Sequence, residues 1–273
     1  NMSHEIRTPL NIVLGMGELL DGTNLKDSQR QYLQSLRLSG EHLLKLINDI
    51  LEFSRIESGS VSIITNPFNV KELLFGVEDM GAHLAMEKGI EFSLEYDTSV
   101  EFNLLGDSRK ISQILLNLVD NAVKYTDSGR VCLSVKGLHY DDEGKISFTV
   151  ADTGVGIPDE KQALIFERFT QIEQGGVQSK GGVGLGLAIS KRLVMAMGGQ
   201  IQIDSEVEKG STFVVELSLP FAEQGPLPYK DGRGVDHVDQ GLCRVHVALL
   251  ERTGRDFHRR VGRGGLAIWQ SEQ

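Results

Sequence analysis

The sequence predicts an α-helical hairpin, of the kind that pairs into a dimeric four-helix bundle, followed by an α/β sandwich. Apolar residues recur at heptad spacing up to about residue 59. From about Val61 the period drops to two in four separate runs, with helical segments between them. The chain's 273 residues are enough for two domains, each with its own core.

In the first helix Met2, Ile6, Pro9, Val13, Met16 and Leu20 form the heptad seam, and Asp21-Gly22-Thr23-Asn24 ends it with turn residues. In the second, Leu33, Gly40 and Ile47 make one row and Leu36, Leu43 and Ile50 another. It is expected to end near Ser58-Gly59, where glycine suits the left-handed position after a helix. Two such helices carry more apolar seam than a hairpin can bury by itself. Pairing with a second copy is one solution, and packing on the chain's own second domain is the other. His4 falls two residues before Ile6, off the apolar stripe, so the helix is expected to present His4 and Glu5 to solvent, with Thr8 one turn along. Pro9 removes a backbone donor and is expected to bend the helix there.

The period-two runs are Ile90-Phe92-Leu94-Tyr96, Val131-Leu133-Val135, Ile146-Phe148-Val150 and Phe213-Val215-Leu217-Leu219. Helices are predicted at roughly 69–88, 108–125 and 184–197, with Asp107 capping the second and Gly198-Gly199 ending the last. This order fits one sheet covered on one face by helices. After Pro220 the character shifts. Residues 221–273 hold seven of the fifteen arginines, one lysine, three of the seven histidines and the only Trp. Gly225-Pro226 and Asp231-Gly232 read as linker, and residues 245–250 as a candidate strand. The remainder reads as an Arg-rich helix or nothing ordered, so 220–273 is expected to be a linker and a truncated or degenerate tail.

A formal charge of −10 argues against nucleic acid as a partner, because phosphate backbones are gripped by clustered cations. Cys132 and Cys243, far apart and without metal-ligand spacing, point to a reducing compartment. No run of about 18 apolar residues is present. The chain opens on Asn1, already inside its first motif, so a sensor segment is expected upstream. The expected location is cytoplasmic, within a parent that leaves room for a membrane anchor.

Three segments together read as an ATP site. Asn117, Asn121 and Lys124 share one helical face, and two amide oxygens with one cation suit a hydrated Mg²⁺ and the phosphates it bridges. Asp152-Thr153-Gly154-Val155-Gly156 follows a strand, where an acid can accept from an exocyclic amine such as adenine's and glycines let the backbone approach a flat ring. Gly181-Gly182-Val183-Gly184-Leu185-Gly186 opens a helix, whose N–H groups and dipole favour phosphate. It is not a Walker loop, since Gly182 stands where Lys is required, nor a dinucleotide fingerprint. Phe166 and Phe169 bracket the start of a polar, glycine-rich stretch and look like the hinge of a lid.

In this order the motifs resemble those of the sensor histidine kinases of two-component systems, over roughly residues 1–219, and most of all the hybrid kinases. The resemblance implies a dimerisation and histidine-phosphotransfer hairpin at 1–59 and a Bergerat-type ATP-binding domain at 60–219. It implies a homodimer that autophosphorylates His4 and passes the phosphoryl group to an aspartate of a receiver domain. Glu5 would take the proton. Asn121 would ligate Mg²⁺, and Asn117, Lys124 and Tyr125 would contact the metal-nucleotide. Asp152 would hold the adenine amine, with Gly154, Gly156, Gly182, Gly184 and Gly186 shaping pocket and lid. Thr8, after Glu5-Ile6-Arg7, matches the family pattern for dephosphorylating the receiver as well. Val183 departs from the pattern, standing where the family usually has a small hydroxyl residue.

The chemistry agrees with the resemblance. A neutral imidazole is a competent nucleophile, and an adjacent carboxylate can orient the ring and remove its proton. A non-catalytic, ATP-sensing dimerisation scaffold is the alternative. An ATPase akin to topoisomerase or mismatch-repair enzymes leaves the His-Glu pair unexplained.

Overall fold

The computed structural model describes residues 2–59, 61–97, 103–140, 143–170, 184–222, 242–247, 257–261 and 267–271. Helices α1 (Met2–Asp21) and α2 (Asp27–Glu57) form the hairpin. α1 runs unbroken through Pro9. At the turn, the Gln29 side chain accepts from the Lys26 backbone N–H at 2.9 Å, which satisfies a donor the helix itself cannot. Gly59, with φ at 67°, stands just past the end of α2.

The two helices meet through small residues. A Cβ on Gly40 would sit 2.6 Å from Leu14, and one on Gly17 would touch Leu33 at 3.5 Å. The inner face is therefore Leu14 and Gly17 against Leu33 and Gly40. The seam at Val13, Met16 and Leu20 instead lies exposed, as does the row Leu36, Leu43 and Ile50. Heptad spacing found both rows of α2, and only packing shows which of them the single chain buries.

The second unit is a six-stranded sheet in the order β6-β7-β5-β4-β2-β8. Its strands are β2 (Glu91–Asp97), β4 (Arg130–Tyr140), β5 (Glu143–Asp152), β6 (Gln200–Glu206), β7 (Gly210–Ser218) and β8 (Leu242–Val247). Only β2 and β4 run parallel, and the other neighbours are antiparallel. Helices α3 (Val70–Lys88), α4 (Ser108–Tyr125) and, after the single turn α5 (Asp159–Gln162), α6 (Gly186–Ala196) pack on the sheet. Leu115, Leu118 and Val119 of α4 and Phe148 of β5 are fully buried between these layers. Packing is close enough that a Cβ on Gly81 of α3 would lie 2.7 Å from the Phe92 ring. Asn69 caps α3 by accepting from Lys71 N at 2.9 Å, and Asp107 caps α4 by accepting from Lys110 N at 3.1 Å.

Two short strands, β1 (Asn66–Asn69) and β3 (Asn103–Gly106), pair antiparallel apart from the main sheet. The chain returns to β3 at its far end, where Leu105 N donates to Pro220 O at 2.7 Å. In the tail, β8 covers 242–247 and overlaps the expected strand 245–250, whose last three residues lie outside the described ones. It pairs with the edge of β2, Phe92 opposite Val247 and Glu95 opposite Arg244. Among its described residues the Arg-rich remainder is extended rather than helical. β9 (Phe257–Val261) and β10 (Ala267–Ser271) form an antiparallel pair.

Candidate active site

Three elements converge at one end of the sheet. α4 carries Asn117, Asn121, Lys124 and Tyr125, and the turn after β5 carries Asp152, Gly154 and Gly156. The last visible stretch before α6 carries Gly184, and Gly186 begins the helix itself.

The turn after β5 is fixed by close approach. A Cβ on Gly154 would run into the Tyr125 carbonyl, and one on Gly156 into the Glu206 carbonyl. Gly156 also has φ at 69°, which an L side chain rarely adopts. Val155 N donates to Tyr125 O at 3.3 Å, and Ile157 N donates to Ser205 Oγ at 2.8 Å. Ser205 is buried beside Ser211, their hydroxyls 2.9 Å apart. The turn is thus pinned to α4 on one side and to the β6–β7 hairpin on the other.

Asp152 sits at the end of β5 with its carboxylate partly buried. Gly154 N donates to its Oδ1 at 2.8 Å. Burial pushes its pKa above the ordinary carboxylate range, with backbone N–H groups of Gly154 and Ser211 pulling the other way. An acceptor held in place at a glycine-lined turn can take a hydrogen bond from a flat, amine-bearing ring.

On α4, Asn117 Nδ2 donates to Ser190 Oγ of α6 at 2.8 Å, and Gly186 leaves no room for a Cβ beside Asn117 Oδ1. Asn117 therefore joins two helices as well as lining the face shared with Asn121 and Lys124. The Lys124 ammonium lies 4.9 Å from the centre of the Tyr125 ring. Phe169 N donates to Gly184 O at 3.0 Å, so the stretches on either side of 171–183 are held together. A Cβ on Gly184 would lie 2.9 Å from the Phe169 carbonyl carbon. Phe166 packs edge-on against Phe213 at 6.4 Å between ring centres, whereas Phe169 is mostly exposed with φ at 58°. Gly182 and Val183, with the rest of residues 171–183, lie outside the described residues.

The fold and this site can now be compared with known proteins. Residues 1–59 match the family described as the His Kinase A (phospho-acceptor) domain. Residues 106–221 match the histidine kinase-, DNA gyrase B- and HSP90-like ATPases. The chain belongs to the sensor histidine kinases of two-component systems. It is 39% identical over 227 residues to the autoinducer 2 sensor kinase/phosphatase LuxQ of Vibrio cholerae, covering 83% of this chain and 26% of that protein. It is 42% identical over 260 residues to the sensor histidine kinase AruS of Pseudomonas aeruginosa, covering 93% of this chain and 26% of that protein. The crystal structure of full-length ShkA in complex with AMPPNP superposes with a TM-score of 0.70 at 41% identity, covering 81% of this chain and 45% of that one. The chain thus spans about a quarter of the length of these two curated relatives. No helix among the described residues is long and apolar enough to cross a membrane.

In this histidine kinase the hairpin rests on the ATPase-like domain through α2. Lys45 pairs with Asp120 of α4 at 3.3 Å, and Glu52 meets Lys110 and Gln113, about three and two turns earlier on the same helix. Phe53 is buried between the guanidinium groups of Arg192 and Arg168, 4.4 and 5.2 Å from its ring centre. Glu57 bridges the same two arginines at 3.9 and 3.2 Å. Asp49, between these contacts, is held above the usual carboxylate range by burial, with Lys45 opposing and Glu52 reinforcing. None of this docking was signalled by sequence spacing, because its partners lie as far apart as 111 positions. His4 and Glu5 lie in the first turns of α1, and their side chains are outside the described ones. Thr8 is exposed on the same helix. Extending the antiparallel pairing of Leu14 with Gly40 brings these turns alongside the half of α2 that docks.

Proposed function

We propose that this chain is the phosphotransfer and catalytic core of a histidine autokinase, with residues 1–59 as the phosphoacceptor hairpin and 60–219 as the ATP-binding domain. The observation that carries this reading is α2 lying along α4. The helix paired with the His4 turn touches Asp120, next to Asn121 on the proposed nucleotide face. Relatives whose names include sensor kinase support it.

The residues present fit Mg·ATP. Asp152 offers an oriented acceptor for the adenine amine, and Gly154 and Gly156 keep the wall free of side chains. Asn121, with Asn117 and Lys124 on its face, offers neutral oxygens and a cation to the metal and phosphates. Mg²⁺ held by Asn121 would supply charge neutralisation for the terminal phosphoryl group. The neutral His4 ring attacks the γ-phosphorus, the bond to the bridging oxygen breaks, ADP leaves, and Glu5 takes the ring proton. The phosphoryl group then passes to an aspartate of a receiver domain. LuxQ's name couples kinase with phosphatase, and Thr8 is our candidate for orienting water in the reverse, dephosphorylating step.

The working unit is a homodimer, because Val13, Met16 and Leu20 of α1 and Leu36, Leu43 and Ile50 of α2 are apolar residues that the single chain leaves exposed. A reaction drawing on ATP places the unit in the cytoplasm. Incubation with γ-labelled ATP and Mg²⁺ tests the reading. Wild type should acquire acid-labile, alkali-stable label that His4→Gln and Asn121→Ala both lose. ATP binding without label would favour a scaffold instead.

A further inference from the structure

The C-terminal turn of α4 bears Lys124 and Tyr125, and its last carbonyls run short of helical donors: the Thr126 N–H reaches Ala122 O at 3.1 Å and, at 3.4 Å, Val123 O. Each of the last four has a partner from outside the regular helix. Thr126 donates to Ala122 O through its hydroxyl at 2.8 Å, and Val155 N donates to Tyr125 O at 3.3 Å. The two between them, Val123 O and Lys124 O, both accept from Lys88 Nζ, each at 2.7 Å. Lys88 is the last residue of α3, and the third direction of its ammonium is taken by Asp127 at 3.4 Å. One cation thus sits where two helices, α3 and α4, end. It offsets the negative dipole end of each.

We propose that Lys88 is a positioning residue of the nucleotide site, acting through the last turn of α4. This rests on the functional reading above, in which Asn121, Lys124 and Tyr125 meet Mg·ATP. Without the ammonium, Lys124 O loses its lysine donor, Val123 O keeps only the long bond from Thr126 N at 3.4 Å, and the last turn is free to fray. Fraying moves Lys124 and Tyr125. It also releases the Tyr125 carbonyl, onto which the turn after β5 is fastened through Val155. Asp152 and Lys124 belong to separate elements, and this chain of hydrogen bonds sets one against the other. The side chain of Lys88 is largely withdrawn from solvent, its exposure 29%, so salt screens the contact little. Nothing in the local sequence announces the role, since Lys88 stands 35 and 36 positions from its acceptors.

The test compares wild type, Lys88→Met and Asp127→Asn in the full chain, using a fluorescent ATP analogue with Mg²⁺ and the amide resonance of Val155. Lys88→Met should weaken nucleotide binding about tenfold, the effect of one to two charge-assisted hydrogen bonds. It should also displace the Val155 amide signal while the amides of β6 and β7 stay in place. Asp127→Asn keeps the ammonium and loosens its seat, so it should move both readouts in the same direction by a few-fold, even where Lys88→Met folds poorly. Unchanged nucleotide affinity and an unmoved Val155 signal in a folded variant would overturn the proposal and leave the functional reading standing. A wild-type chain that fails to bind Mg·ATP sinks both.

Discussion

The hairpin and the sandwich treat apolar residues in opposite ways. In the sandwich Leu115, Leu118, Val119 and Leu133 are wholly buried. In the hairpin Leu19 is 71% exposed and Leu38 60%. Composition does not distinguish them, because both have enough apolar residues for a core. The difference is closure: a sheet with helices on its face completes its layers within one chain, whereas two helices enclose only the line between them. On the proposed reading the hairpin is half of a dimeric bundle. That makes it the part of the chain able to report on a partner, while the sandwich offers a fixed frame for a ligand.

The largest effect should come from charging the open face. Replacing both Leu36 and Leu43 with Glu places unpaired carboxylates in the proposed dimer seam, which should weaken association roughly 1000-fold. Sedimentation should show monomers whose nucleotide affinity matches wild type. A dimer that survives the double substitution would mean this face does not pair and the hairpin's apolar surface has some other occupant.

A smaller effect should follow from breaking the contact between the two regions. Phe53 is buried between two guanidinium groups, and its truncation to Ala should cost docking about 3 kcal/mol. Glu57 touches the same arginines, but these ion pairs are half exposed, so Glu57→Gln should cost less than about 1 kcal/mol. Hydrogen exchange on α2 and α6 separates the outcomes. Equal loss of protection in the two variants would show that charge, not the aromatic plate, holds the hairpin down.

What the sequence disclosed follows the same division. Features with local periodicity were legible: the face shared by Asn117, Asn121 and Lys124, the Asp107 cap, and the alternation of Phe213, Val215 and Leu217, all three buried. β1 and β3 were not, because four residues are too few to alternate, and Pro67 argues against a strand. The heptads gave two rows on α2 without saying which faces inward, since that depends on Gly17 and Gly40 admitting a neighbour. In the tail the strand expected at 245–250 overlaps β8, whose partner β2 lies far away in sequence, while charge density obscured β9 and β10. Of the site, residue types and spacing were readable, and the seats of those residues were not. Ser190 under Asn117 and the serine pair behind Ile157 come from distant segments.

The sandwich's fixed frame carries its own smaller test, in the titration of Asp152. Burial raises its pKa against the opposing backbone donors, so the folded protein holds this proton more tightly than the unfolded chain does. Stability therefore falls as pH rises from the ordinary carboxylate range through the raised value, and above that value the full penalty for burying the charge remains. Nucleotide binding has the opposite slope. The ionised carboxylate accepts the adenine amine, so affinity should decline as pH falls through the same window. Asp152→Asn should retain the fold, lose this pH dependence of stability, and bind ATP weakly with no such inflection. Melting temperature and ATP affinity, followed together from neutral into acid, should cross in wild type and run flat with respect to this group in the variant. Parallel slopes in wild type would remove Asp152 from the adenine-binding role, because one ionisation cannot both strain the fold and hold the ligand if both curves fall together.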